Sequence, residues 1–305
     1  MVIRHTVSQR EENAQLRSVL RRTLCLSNAL LKRMKQTENV LVNGKQLRFI
    51  DRVHQGDIVS VRLEFGEEDS TILPQDIPVD ILYEDDCLIA VNKPPNMVIH
   101  PCAGHPDNTL GNALMGYFGK KGLKIKLRPL GRLDRDTTGI VLFAKNQYVQ
   151  DFLIRQMKER IYEKNYLGII HGAFTPPEGE IALPIARKEG SIIERVTDPD
   201  GVESLTLYKT LRKYKGFSFA WFRIVTGRTH QIRVHCASVG NPLLGDTLYG
   251  NIPTKWINRQ ALHSHTVSFI HPETGDRMTL QAPVPEDMQR VVNILELDED
   301  TSDRV

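Results

Sequence analysis

The chain has no disulfide framework, no membrane-spanning stretch and no nucleotide-binding loop. Only four of its 305 residues are cysteine (Cys25, Cys87, Cys102 and Cys236), with no C-x-x-C pair. That argues against a stapled fold and a cysteine-based zinc site, and suits a reducing compartment. No apolar run approaches the ~18 to 20 residues of a spanning helix, and MVIRHTVSQREEN carries no apolar signal core. The expectation is a cytoplasmic protein that does not enter a membrane. Absent too are the Walker A, dinucleotide-binding and G-x-S-x-G patterns, which leaves no signature of a nucleotide cofactor or a serine-hydrolase elbow. There is no internal repeat and no long low-complexity tract. The formal net charge is only +3, so any charge argument must be local.

Hydrophobic residues make up 40% of the chain, enough for a sizeable core, and the length suits two domains. Residues 1–65 read as a small basic module: residues 4 to 62 hold twelve Lys or Arg against five acids, a local charge of +7. AQLRSVLRRTLCL places Leu16, Val19, Leu20 and Leu24 at helical spacing with arginines opposite. Ser27 is a predicted N-cap for a second helix, and Asn43-Gly44 a predicted turn after the strand NVLV. GDIVSVRLEF reads as the module's last strand. Residues 66–78, acidic and proline-punctuated, are the expected linker. Residues 79–305 form the larger body. CLIAVNK, GIVLFAKN, KNYLGIIHG, ESLTLYKTL, FSFAWFRIV, ALHSHTVSFI and RMTLQ read as strands. QYVQDFLIRQMKERI, RTHQIRVHCASVG (closing at Gly240) and PEDMQRVVNILEL read as helices, followed by an acidic, frayed tail. Strands outnumber helices and come in adjacent runs, so the predicted class is α+β with a mixed, mostly antiparallel sheet.

Two stretches concentrate reactive side chains. In RPLGRLDRDTTGIVLFAKN, Asp134 and Asp136 stand among three arginines at the mouth of a buried strand. On an extended segment Arg132, Asp134 and Asp136 share one side and Leu133 the other. A carboxylate beside cations stays ionised and can act as nucleophile, base or electrostatic stabiliser. A solvated ion-pair cluster fits the same pattern, as does a hard-cation site on the D-x-D triplet. In VTGRTHQIRVHCASVGNPLLGDTLYG, Arg228, Thr229, His230 and Gln231 gather at a helix start, where backbone N–H groups favour anions, and Arg228 and Arg233 add guanidinium forks. Ordinary capping with surface arginines reads equally well. His100 and His105 flank Cys102, and His263 and His265 sit two apart, without the usual spacing of zinc ligands; no metal is expected.

Taken together, these segments resemble the RluA-type family of RNA pseudouridine synthases, in members that carry an N-terminal S4-like RNA-binding domain. LRSVLRRTLCLSNALLKRMKQTENVLVNGKQL is similar to the S4 module, and ILYEDDCLIAVNKPPNMVIHP to the family's first motif. GRLDRDTTGIVLFAKN resembles the central motif, usually H-R-L-D-x-x-T-[ST]-G. KNYLGIIHG resembles the K-x-Y segment, and TGRTHQIRVH with GNPLLGDTLYG the third motif. The resemblance implies isomerisation of uridine in RNA to pseudouridine, without metal or cofactor. It implies Asp134 as the essential carboxylate, Arg228 as its partner and Tyr166 lying on an everted uracil. It implies Arg132 filling the vacated stack, Ile232 as an apolar wall, Asp136 in support, and Arg135, Thr229 and His230 near the substrate. Arg17, Arg21, Arg22, Lys32, Arg33 and Lys35 become phosphate contacts. The implied partner is RNA, ribosomal before transfer RNA, bound by a monomer. One departure stands out: Gly131 occupies the usual histidine position, with a more flexible loop expected there. A non-catalytic RNA-binding factor on this fold and a metal-dependent phosphodiesterase using Asp134 and Asp136 are the competing readings.

Overall fold

The computed structural model describes residues 1–35, 37–63, 71–250 and 252–302, the last five by backbone alone. The N-terminal module contains β1 (Val2–Thr6), β2 (Ala14–Gln15), α1 (Leu16–Arg22), α2 (Asn28–Met34), β3 (Val40–Val42), β4 (Arg52–Val53) and β5 (Ile58–Arg62). The helices form where expected because their apolar residues share one face: Leu16, Val19 and Leu20 are buried from α1, and Leu30, Leu31 and Met34 from α2. The Ser27 hydroxyl accepts Leu30 N–H at 3.3 Å and so caps α2. An antiparallel sheet ordered β1-β5-β3 completes the module. The module is tied to the body by Arg155 Nη2, which donates to Cys25 O at 2.9 Å. One apolar cluster also runs from Val7 and Leu16 through to Val149 and Phe269.

The body contains β6 (Ile81–Glu84), β7 (Leu88–Lys93), α3 (Leu110–Lys120), β8 (Arg128–Pro129), β9 (Thr138–Ala144), α4 (Gln147–Lys158) and β10 (Glu163–His171). It continues with β11 (Glu178–Ile181), β12 (Ile185–Arg187), β13 (Arg195–Thr197), β14 (Thr206–Tyr214), β15 (Phe217–Ile224), α5 (Gln231–Ser238), β16 (Leu262–Ile270), β17 (Arg277–Gln281) and α6 (Glu286–Ser302). Ten strands form one sheet ordered β11-β14-β15-β10-β16-β9-β7-β6, with β17 added on β16 and β8 on β9. Every pairing is antiparallel except β16 with β9, which is the α+β, mostly antiparallel arrangement expected.

That one parallel contact sets the position of the site. It spans only two register pairs, His263 with Thr138 and Ser264 with Gly139. Gly139 has φ +107°, and a Cβ there would stand 2.2 Å from Ser264 O. The T-T-G of the central motif therefore brings two backbones to a distance no other residue permits. The segment that carries Asp134 leads directly into this contact.

Several expectations need correction. The segment at 66–78 is only partly described; from Ile72 it packs against α3, where Asn112 Nδ2 donates to Leu73 O at 2.8 Å and Gln75 N–H donates to Asn112 O at 3.0 Å. α3 itself, with three glycines in LGNALMGYFGK, has too weak a helical composition to be read from sequence; its Thr109 cap and buried Leu110, Leu114 and Phe118 hold it. The tail expected to fray is helical through Ser302. The strand β1 was also not anticipated from its polar alternation.

Candidate active site

Asp134 stands in the connection from β8 to β9. The chain reverses immediately after it: Thr137 N–H donates to Asp134 O at 3.1 Å, closing a turn over Arg135 and Asp136. This overturns the extended reading in which Arg132, Asp134 and Asp136 share a side. Asp136 is directed away, accepting Asn96 N–H at 3.1 Å and pairing with the Arg135 guanidinium at 3.0 Å. Arg135 is exposed and does not line the cavity described below, contrary to its expected place near the substrate. Its carbonyl is nevertheless fixed. Lys93, fully buried, donates from Nζ to Arg135 O at 2.8 Å, Met97 O at 2.9 Å and Pro94 O at 2.8 Å. All three ammonium donors are thereby used to pin the Asp134 loop to the end of β7. Burial pushes the Lys93 pKa down to about 7.

The expected partner of Asp134 is wrong by five residues. Arg228 precedes α5 and its Nε donates to Glu203 O at 3.2 Å. The cation at Asp134 is Arg233, one turn into α5, whose Nη1 lies 3.1 Å from Asp134 Oδ2. Arg233 is held from behind by Asp246, with Nε 2.7 Å from Oδ2 and Nη2 2.9 Å from Oδ1. Asp246 has 0% side-chain exposure, and its Oδ1 also accepts Leu248 N–H at 3.1 Å. This two-point grip fixes the guanidinium plane, so the remaining Nη1 is aimed at Asp134. Burial opposes the charge on Arg233, but the hydrogen bonds and the charges of Asp246 and Asp134 outweigh it and hold the proton more tightly than usual.

His230 caps α5 in a left-handed conformation, φ 59°, and its Nε2 lies 3.8 Å from Asp134 Oδ1. Its Nδ1 faces Tyr249 Oη at 2.7 Å, and that hydroxyl oxygen also accepts Arg195 N–H at 2.9 Å. The Tyr249 contact holds the ring so that Nε2 is the nitrogen that faces Asp134. Burial pushes the His230 pKa down, so the ring is neutral at pH 7.

These groups converge on a cavity of about 450 Å³, within the range of small-ligand sites. Its lining includes Arg132, Asp134, Tyr166, Arg228, Thr229, His230, Ile232 and Arg233, which brings together every expected substrate residue except Arg135. Tyr166 enters where the β10–β16 register shifts between Asn165 and Tyr166. It is 4% exposed; burial and then the nearby Asp134 charge raise its pKa, leaving a neutral phenol. Ile232 is 4% exposed and closes an apolar side.

The sequence reading missed the roles of Asp246, Tyr249, Lys93 and Lys164. Asp246 and Tyr249 lie in the quoted G-D-T-L-Y-G, where an acid and an aromatic three apart were the only available signal. Among the described residues, donor atoms of Asp85, Cys87 and His271 lie within 4.8 Å of one another. Asp85 already accepts Cys87 N–H (2.7 Å), Leu88 N–H (2.8 Å), Tyr83 O–H (2.7 Å) and His271 Nε2–H (2.8 Å), and burial keeps the Cys87 thiol protonated. The cluster acts as a pin between two turns.

A carboxylate gripped by a buried guanidinium, beside an aromatic ring and an apolar wall, suits reaction on a flat heterocycle. Comparison with known proteins decides among such chemistries. Residues 87–238 match the family model described as RNA pseudouridylate synthase. The chain belongs to the RNA pseudouridine synthase family. It is 34% identical over 286 residues to the ribosomal large subunit pseudouridine synthase D of Escherichia coli (strain K12), covering 89% of this chain and 87% of that one. It is 36% identical over 251 residues to the uncharacterized RNA pseudouridine synthase YjbO of Bacillus subtilis (strain 168), covering 82% and 88%. Among solved structures, human RNA pseudouridylate synthase domain containing 4 aligns with a TM-score of 0.60 at 20% identity, covering 71% of this chain and 93% of that one, which supports the fold. As a pseudouridine synthase the protein is an isomerase of uridine in RNA. Among the described residues no helix is long and apolar enough to cross a membrane.

Proposed function

We propose that Asp134 is the reacting carboxylate for conversion of specific uridines, in ribosomal RNA before transfer RNA, to pseudouridine. The N1–C1′ bond breaks, the base turns, C5 joins C1′, the C5 hydrogen leaves as a proton, and N1 gains one. These changes balance without oxidant, metal or cofactor. The uridine is everted from its stack to reach the cavity. Arg132, exposed at the mouth, takes the vacated place. The Tyr166 ring lies on the uracil, a contact worth ~1 to 3 kcal/mol, and Ile232 forms the opposite wall. Arg233 pairs with Asp134 and aims it, in the role expected of Arg228. Arg228 and Thr229 line the approach.

The N-terminal module is the second RNA contact in this reading and corresponds to the S4-like pattern. Arg17, Arg21, Arg22, Lys32, Arg33 and Lys35 are all exposed. Arg17, Lys32 and Lys35 line a groove with Arg48, Phe49 and Ile50, so that cations sit beside apolar surface. The protein works as a cytoplasmic monomer.

The observation that carries this reading is the Asp134–Arg233–Asp246 arrangement opening onto a nucleobase-sized cavity. The test is incubation with ribosomal RNA tritiated at uridine C5. Wild type should release tritium, and Asp134→Asn should bind the RNA and release none. Equal release by both proteins would remove Asp134 from the chemistry. Binding without release by wild type would favour a non-catalytic RNA-binding factor.

A further inference from the structure

Lys164 is a cation of the cavity whose donors are mostly unused within the protein. It lies in β10 two residues before Tyr166 and therefore on the same side of the strand, and both residues line the cavity. Its Nζ donates to one acceptor, Leu130 O at 3.0 Å. No carboxylate lies within ion-pair distance of it among the described residues. The contrast with Lys93 is direct: that ammonium spends three donors on three carbonyls, whereas Lys164 has two left beside open space. Tyr162 flanks the ammonium, with its ring centroid 5.8 Å away, and burial lowers the Lys164 pKa to about 8.

Gly131 accounts for this placement. It has φ +105°, and a Cβ there would stand 2.5 Å from Lys164 Nζ. The ammonium thus occupies the space in which a side chain at 131 would begin. The glycine that departs from the usual motif histidine leaves this volume to Lys164.

A partly desolvated ammonium with free donors calls for an anion. Among the described residues, the only carboxylate lining the cavity, Asp134, is engaged by Arg233. Uracil is neutral, and the anionic group that accompanies it is the phosphodiester. Resting on the reading that a uridine everts into this cavity, we infer that Lys164 and Gly131 form a phosphate subsite, in which Lys164 binds the backbone of the everted nucleotide and Gly131 provides the room.

The test uses the full chain and the tritiated ribosomal RNA, with log(kcat/KM) measured against log salt concentration. Lys164→Gln should flatten the slope by about 0.7 to 0.9, the loss of one phosphate contact, with the effect falling on KM. Gly131→Ala, which displaces Nζ, should flatten it similarly, and the double variant should go no further than either single one. Lys164→Arg, which keeps a charge, should restore most of the slope. Turnover by wild type with an unchanged slope in Lys164→Gln would overturn the phosphate assignment alone. A loss confined to kcat, with a shifted pH profile, would overturn it in favour of proton transfer. Absence of wild-type turnover would instead overturn the uridine reading on which it rests.

Discussion

Asp134 and Asp246 grip the same guanidinium, that of Arg233, from opposite sides: Nη1 is 3.1 Å from Asp134 Oδ2, and Nε is 2.7 Å from Asp246 Oδ2. The buried partner sets the plane of the fork and the accessible partner receives what remains. A lysine at 233 has no such plane and cannot serve both carboxylates with the same geometry. Arg233→Lys should therefore lower tritium release by about 10²-fold or more, while Arg228→Lys, at a residue bonded to the Glu203 carbonyl, should change it far less. Parallel release assays on the two variants check this. Equal losses would mean that Arg228 reaches Asp134 during turnover.

The T-T-G sequence yields a stability prediction. Alanine at 139 would place a methyl carbon 2.2 Å from Ser264 O at a φ of +107°. Neither backbone has room to move without breaking the two register pairs that join β9 to β16. Gly139→Ala should destabilise the protein by about 2 to 3 kcal/mol or more, read as a lower urea midpoint. Gly44→Ala, in the open turn after β3, meets nothing within 4 Å and should cost less, its φ of +77° being the only strain.

Asp134 was singled out through the resemblance of its segment to the family's central motif, since a solvated ion-pair cluster fits the same crowding of acids and arginines. Its partner was not. Choosing between Arg228 and Arg233 requires knowing that α5 begins at Gln231, with His230 held left-handed before it. Only then does Arg233, three residues after His230, share its face. Asp246 acts across thirteen residues through a loop without periodicity, so local pattern carries no trace of its contact. The strongly alternating strands β14 and β15 were readable, and so were α1, α2 and α4 with their apolar stripes. α3 was not, because its glycines are tolerated only through tertiary packing.

The buried His263 and the ion-paired Glu84 make stability fall in acid. Burial pushes the His263 pKa down to about 4, so the folded protein resists a proton that the unfolded chain accepts near 6.5. Its stabilising contribution is complete above 6.5 and declines as pH falls to about 4. Burial works against the Glu84 carboxylate, but hydrogen bonds from Lys121, Lys145 and Tyr117 outweigh it and hold its pKa at about 2. That contribution is present above 4.5 and lost as pH falls toward 2. Urea midpoints should therefore begin to drop below about pH 6.5 and continue to drop below 4.5. His263→Gln should reduce the upper part of this decline, the rest of which comes from His171, His230, His235 and His265, also lowered by burial, and should leave the lower part.

The groove of the N-terminal module should act on RNA affinity through charge at its lysines and through stacking at Phe49. Lys32 and Lys35 are exposed beside Phe49 and Ile50, far in sequence from any residue at Asp134. Each phosphate contact contributes about 0.7 to 0.9 to the dependence of log affinity on log salt, according to whether the strand is single or paired. Lys32→Gln with Lys35→Gln should flatten the slope by about twice that amount, and the loss should shrink as salt rises. Phe49→Ala should weaken binding at every salt concentration without changing the slope, because a stacking contact releases no counterions. Fluorescence anisotropy on labelled ribosomal RNA across a salt series separates the two effects. A slope unaltered by the lysine pair would remove this groove from the RNA path and leave the arginines of α1, Arg21 and Arg22, as the module's contacts.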